Sequence, residues 1–203
     1  MTYTRDELIK AVSGQMPEKR WKHTEGVMAS AVELAERYGA DPVKADLAAL
    51  LHDVAKYWPI DRQESVVRDN AAAGLNQELL EYDKQLLHSE VGAFVAEKDY
   101  GITDREVLDA IRYHTSGRVG MTKMDKIICL ADYIEPGRDF PGVDIIRDLA
   151  KNSLEEALVA GFDSTISFLL QQRKIIFPMT VLARNDLVRQ LAAAKRGQAA
   201  SAE

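Results

Sequence analysis

The sequence predicts an all-α fold, a single multi-helix bundle, on three observations. Apolar residues recur at helical spacing almost throughout, helix-boundary signals punctuate them, and strand signals are nearly absent. Short β-branched stretches such as Ile175-Ile176 are flanked by helix formers. No repeat and no low-complexity linker divides the chain, and 203 residues suffice for one sizeable helical domain.

Thr4-Arg5-Asp6-Glu7 is a capping box that opens a first short helix, because Thr and Glu side chains satisfy exposed amide donors reciprocally. Pro17 suits the first turn of a second helix, which runs through His23 to a stop at Gly39. Asp41-Pro42 starts a third, with Leu47, Leu50, Leu51 and Val54 on one stripe, and Tyr57-Trp58-Pro59 breaks it. A more polar helix covers about Arg62 to Ala72 and ends around Gly74. The segment from Leu86 to Tyr100 closes at Gly101. Thr103 and Glu106 have capping-box spacing and lead a helix into His114, ended by Ser116-Gly117. A further helix spans about Thr122 to Ile134 and stops at Glu135-Pro136-Gly137. With Pro141-Gly142 as a second turn signal, Glu135 to Gly142 reads as an ordered loop. Ser153 and Glu156 cap a long helix, Pro178 opens the last, and the Ala-rich end is expected to fray from about Ala192. The core spans about 17–190 of a single domain over 1–203.

Composition narrows the function. Hydrophobic residues make up 46% and charged residues 29%, as in an ordinary globular protein. Net charge is −6, and the basic residues form no block beyond Lys195-Arg196, which argues against nucleic-acid or anionic-membrane binding. A local basic pocket for a small polyphosphate is compatible with that charge. The single cysteine, Cys129, excludes a disulfide framework and fits a reducing compartment. The opening MTYTRDELIK lacks a signal-peptide core, and no apolar run approaches the roughly 18 residues of a membrane span. A cytoplasmic location is expected; nothing in the sequence fixes whether the chain forms a homodimer.

Chemistry is sought among residues that are costly in such a bundle. Asp132 follows Ile127-Ile128-Cys129-Leu130-Ala131, where a carboxylate loses several kcal/mol, roughly, of hydration unless cations or donors compensate. An outward orientation or a buried arginine would equally resolve it. His52-Asp53 interrupts the apolar run from Leu47 to Ala55 in the same way. Neighbours on a helix diverge by about 100°, yet both can reach an ion seated between their directions, and the carboxylate can bridge to a second. The four histidines, His23, His52, His88 and His114, all lie within or at the ends of amphipathic helices. Singly, each is more often a satisfied core histidine than a ligand. With Asp53 and Asp132 they form a set suited to iron, manganese, cobalt or zinc rather than magnesium or calcium.

The ordered series H…HD…H…H…D resembles the HD-domain superfamily of metal-dependent phosphohydrolases, and more closely the YqeK family of bacterial symmetrical diadenosine tetraphosphate hydrolases. The matching stretches are Arg20 to Val27, Leu50 to Lys56, Leu87 to Ala93, Ile111 to Gly117 and, most discriminating, Ala131 to Gly142. Together they span about residues 17 to 180, and Ser116 stands where Thr is expected. The resemblance implies an HD-type bundle with a two-metal site at its centre, usually iron. It implies that His23, His52, Asp53 and Asp132 hold one ion, that Asp53 bridges, and that His88 and His114 complete the second site. It also implies a nucleotide substrate, a tetraphosphate split in the middle to two ADP.

In such a site the expected nucleophile would be a metal-bridging hydroxide, directed at phosphorus in line with the leaving phosphate. Fixed cations must then meet the polyphosphate. Lys56, about one helical turn after His52, and Arg138, whose fork suits phosphate, are the main candidates; Lys22 and Arg112 are weaker ones. Thr115, Ser116 and Gly117 form a turn able to grip phosphate or simply a helix stop. Tyr133, Phe140 and Trp58 are available to stack on a base, although packing is the commoner role. Two alternatives stand beside this reading: an HD phosphohydrolase acting on other nucleotides, as a nucleotidase or cyclic-nucleotide phosphodiesterase, and a non-catalytic nucleotide-binding regulator. The second usually lacks a ligand, and none is missing here.

Overall fold

Helix α1 (Arg5–Ser13) begins at the expected box: the Glu7 amide donates to Thr4 Oγ1 at 3.3 Å and the Thr4 amide to Glu7 Oε2 at 2.7 Å. The computed structural model describes residues 3–200, and its ten α-helices, with no strand among the described residues, give the all-α fold. Pro17 sits one residue before α2 (Glu18–Tyr38), which Gly39 ends in the left-handed region at φ 63°. Asp41 accepts from the Val43 and Lys44 amides and Pro42 opens α3 (Pro42–Leu51). α4 covers Ile60–Asp69 and α5 Leu87–Lys98. α6 (Arg105–Tyr113) is capped by Asp104, which accepts from the Glu106 amide at 2.9 Å, and not by Thr103. The Thr-to-Glu spacing is met by chance, and the adjacent Asp is the better cap. α7 (Lys123–Ile134) carries its own box between Thr122 and Asp125, and α9 (Leu154–Gln171) starts at the Ser153 cap.

Two features differ from expectation. α3 ends at Leu51, so His52, Asp53 and Lys56 lie in the turns that follow it rather than on its face. A short helix, α8 (Val143–Leu149), follows Gly142 without a side-chain cap, and 3-10 turns occupy much of 77–86. α10 (Pro178–Ala200) takes in the Ala-rich stretch after Ala192, as the high helix propensity of Ala allows. Residues 1, 2 and 201–203 of the expected domain lie outside the described residues.

α3, α5 and α7 are buried on most of their surface. α2 packs along α3 and α7, α6 along α5 and α7, and α9 along α7 and α10. Their apolar faces share one core, from Leu50 and Leu51 through Ile127 and Ile128 to Phe162, each worth about 1.5–3 kcal/mol on burial. The core holds helix ends together. His52 and His114 directly follow α3 and α6, His88 lies in the first turn of α5, and Asp132 lies in the last turn of α7.

Candidate metal centre

The four histidines and two aspartates converge. Asp53, fully buried, stands in the middle: its Oδ2 lies 3.0 Å from His52 Nε2 and 3.8 Å from His23 Nε2. Its Oδ1 lies 3.1 Å from His88 Nε2 and 3.9 Å from His114 Nε2. Each carboxylate oxygen thus faces its own pair of imidazoles. Asp132 joins the first pair, with Oδ1 at 3.1 Å from His23 Nε2, and keeps 22% of its side chain accessible because it lines a cavity.

Ring orientation aims these donors inward. The carbonyls of Ala49, Gln85 and Ile111 lie within hydrogen-bond reach of Nδ1 of His52, His88 and His114. A carbonyl only accepts, so each Nδ1 carries the proton and each Nε2 presents a lone pair to the centre. His23 Nε2, His52 Nε2 and Asp53 Oδ1 are buried without hydrogen-bond partners among the described residues, and Asp53 Oδ2 has only its ion pair with Arg20. Orphaned polar atoms of this kind are costly, and a group of them aimed at one point fits a cation. Two sets bring their ligand atoms within 4.8 Å of one another: His23, His52 and Asp132, and His52, Asp53 and His114. The donors therefore fit a divalent metal.

Electrostatics agree with the geometry. Burial opposes the charge of Asp53, but its pairing with His52, whose own pKa Asp53 raises, holds the carboxyl well below the usual range. Burial likewise opposes Asp132, yet His23 and Arg138 keep it ionised. Burial, reinforced by His52 and His88, pushes His114 down to about 3, so its imidazole stays a neutral donor.

Cations surround the cluster, though not all those expected. Arg138 donates to both the Asp132 side chain and its carbonyl. Lys56 Nζ lies 3.3 Å from His88 Nδ1, and burial lowers its pKa, with Arg20 and Arg138 adding to the effect against Asp53. Arg20, which sequence reasoning missed, pairs with Asp53 through its guanidinium. Its position three residues before His23, on the same face of α2, was the available signal. Lys22 instead points to solvent, 70% exposed and 2.8 Å from Glu18. Arg112 is committed to Glu90 and Asp109. Glu135 was read only as a helix stop; it is buried, with Oε1 3.0 Å from His23 Nδ1.

A cavity of about 640 Å³ opens beside the cluster, lined by His114, Thr115, Asp132, Tyr133, Arg138 and Phe140, and by α9. Thr115 Oγ1 is buried there without a partner. The Tyr133 hydroxyl is 2.7 Å from Thr165 Oγ1 and its ring meets Phe162 edge-on, so it chiefly ties α7 to α9. Gly117 is not among the residues that line this cavity. At φ 65° it packs behind the site, where a Cβ would stand 2.7 Å from Phe162. Trp58 lies elsewhere, under the Arg62 guanidinium.

The HD domain model matches residues 20–137. The chain is 45% identical over 184 residues to the symmetrical bis(5'-nucleosyl)-tetraphosphatase of Bacillus subtilis, covering 91% of this chain and 97% of that one. It is 44% identical over 169 residues to the enzyme of the same name from Staphylococcus aureus, covering 82% and 86%. A crystal structure of a predicted HD superfamily hydrolase involved in NAD metabolism, from Clostridium acetobutylicum, superposes with a TM-score of 0.88 at 39% identity, covering 94% of this chain and all of that one. No helix among the described residues is long and apolar enough to cross a membrane. The chain belongs to the HD domain family, in the group of the symmetrical bis(5'-nucleosyl)-tetraphosphatases.

Proposed function

We propose that this chain hydrolyses dinucleoside tetraphosphates, splitting diadenosine tetraphosphate and one water into two ADP. The observation that carries the reading is Asp53 dividing four inward-aimed imidazoles into two pairs beside a nucleotide-sized cavity. The similarity to relatives that carry this activity in their names over nearly their full length supports it.

His23, His52, Asp53 and Asp132 would hold one ion, and His88 and His114, sharing Asp53, a second. The donors fit iron, manganese, cobalt and zinc; iron is the ion the family resemblance implies. When bound, such a pair supplies Lewis acidity and lowers the pKa of water. The chain's own groups do the rest. Asp53 stays ionised between the two pairs, and His114 stays neutral. Arg138 and Lys56 meet the charge of the phosphates, Arg138 with a fork able to hold two oxygens at once. Thr115 Oγ1 offers a free hydroxyl on the cavity wall. Tyr133 and Phe140 line the space that a nucleoside would enter.

Chromatography of the products tests the reading. Two equivalents of ADP are expected from diadenosine tetraphosphate, dependent on metal and absent in His52→Ala. ATP with AMP, or released inorganic phosphate, would overturn it in favour of another nucleotide hydrolase.

A further inference from the structure

Three of the four imidazoles are oriented by the chain's own local geometry. His52, His88 and His114 each reach the carbonyl three residues earlier, which helix ends leave at hand. His23 cannot use this device, because it lies within α2, where carbonyls serve the helix. Its Nδ1 is met instead by the carboxylate of Glu135, 112 residues later in sequence, at 3.0 Å. We infer that Glu135 is the positioning residue of the centre. It fixes the ring of His23 with Nε2 toward Asp132 and Asp53, and its charge strengthens that nitrogen as a donor to the metal. A carboxylate behind a metal-binding histidine fixes the tautomer more firmly than a neutral carbonyl does.

The surroundings are built for this contact. The Glu135 side chain is 4% exposed, a costly place for a carboxyl with no task. Its Oε2 accepts from the Gly137 amide at 2.6 Å. Gly26, one turn beyond His23, leaves the room: a Cβ there would stand 2.6 Å from Oε2. The backbone is held as well. Arg147, on the helix that sequence reasoning missed, donates to the carbonyls of Ile134, Glu135 and Arg138 at 2.9–3.1 Å. One arginine thereby fixes the loop that presents both Glu135 to His23 and Arg138 to Asp132.

This inference rests on the proposed metal centre, and the experiment separates the two. Metal-free wild type and Glu135→Gln are titrated with Co(II), read by visible absorption and by competition with a chelator, and each apoprotein is melted. The amide keeps the volume and an acceptor oxygen but loses the charge. A fall of about 10–100-fold in Co(II) affinity at one site is expected, with the apoprotein melting near wild type. Gly26→Ala, which displaces the carboxylate without removing it, should weaken the same site. Equal affinity in wild type and Glu135→Gln, or a lowered melting temperature with unchanged affinity, would reduce Glu135 to a loop staple and overturn the inference while leaving the centre standing. Wild type that binds no Co(II) would overturn the centre and this inference with it. If Glu135→Gln does not fold, Glu135→Asp, whose shorter arm withdraws from Nδ1, decides by the same titration.

Discussion

His88 and His114 present their Nε2 atoms to each other at 3.2 Å, deep in the protein. Both Nδ1 atoms face carbonyl acceptors, so neither Nε2 has a proton to share, and two lone pairs confront one another. Burial holds both imidazoles neutral, which removes protonation as the remedy at ordinary pH. A cation between them, shared with Asp53 Oδ1 at 3.1 Å from His88, resolves the conflict. The protein should therefore be more stable with metal than without. A free ion at 100 times its Kd adds about 2.7 kcal/mol. For a chain of this length that corresponds to roughly 5–10 °C in melting temperature. Calorimetry before and after chelation measures it; an unchanged Tm would mean the cluster is satisfied without an ion.

Asp53 carries the heaviest consequences, since each of its oxygens faces a different pair of histidines. Asp53→Ala should lose both metal and activity, beyond the roughly 10–100-fold that changing a ligand's supporting partner costs. It also leaves the Arg20 guanidinium, 18% exposed, without its carboxylate. Removing one member of a buried ion pair costs about 3–5 kcal/mol, so the apoprotein should melt lower too. His52→Ala should lose activity with a smaller change in apoprotein stability, because no buried charge is orphaned. Metal analysis and melting curves of the two variants check the order.

How much of this was legible in the sequence follows from the range of the signals. Thr4, Ser153 and Pro178 announce helix starts because a cap acts within one turn. The metal-binding set is legible because a histidine or aspartate inside an apolar run is conspicuous wherever its partners lie. Glu135 was not legible, since its partner His23 stands 112 residues away and Glu135-Pro136-Gly137 reads equally well as a helix stop. Lys22 and Arg112 show the converse. Lys22 adjoins His23 and Arg112 stands two residues before His114, but each step along a helix turns a side chain by about 100°, and both point elsewhere. α8 escaped notice because it is seven residues long and lacks a side-chain cap.

Lys56 and Arg138 differ from the ligands in what their loss should cost. Lys56 sits beside His88 without ligating, so Lys56→Ala should keep metal and raise KM or lower kcat by about 10–150-fold, the 1.5–3 kcal/mol of a hydrogen bond to a charged group. Arg138→Ala should behave similarly, with an added loss where Asp132 is left without its guanidinium. Metal content measured beside the kinetics separates the two outcomes; loss of metal from Lys56→Ala would place that residue in the support of His88 instead.

Gly117 tests packing behind the site. Its φ of 65° disfavours any Cβ, and the added atom would meet Phe162 at 2.7 Å and Ala183 at 2.9 Å. Gly117→Ala combines left-handed strain with overpacking of about 1–3 kcal/mol. A melting temperature several degrees lower is expected, with KM near wild type in the folded fraction. An unchanged Tm with a raised KM would return Gly117 to the phosphate-binding role that its sequence suggested.

Part of the cavity wall belongs to α9, outside the matched HD domain residues, which contributes Ser164, Thr165, Ser167, Phe168 and Gln171. Phe168 is 56% exposed, so its ring adds little to the core and is free to meet a base. Stacking of an aromatic side chain on a base is worth about 1–3 kcal/mol. Phe168→Ala should therefore raise KM for diadenosine tetraphosphate by about 5–150-fold while Tm stays within about 1 °C, as for an ordinary surface change. The same variant should affect inorganic tetraphosphate inhibition little, because that ligand has no base to stack and meets only the metals, Lys56 and Arg138. Equal weakening of both ligands would mean that Phe168 shapes the phosphate site rather than the nucleoside site.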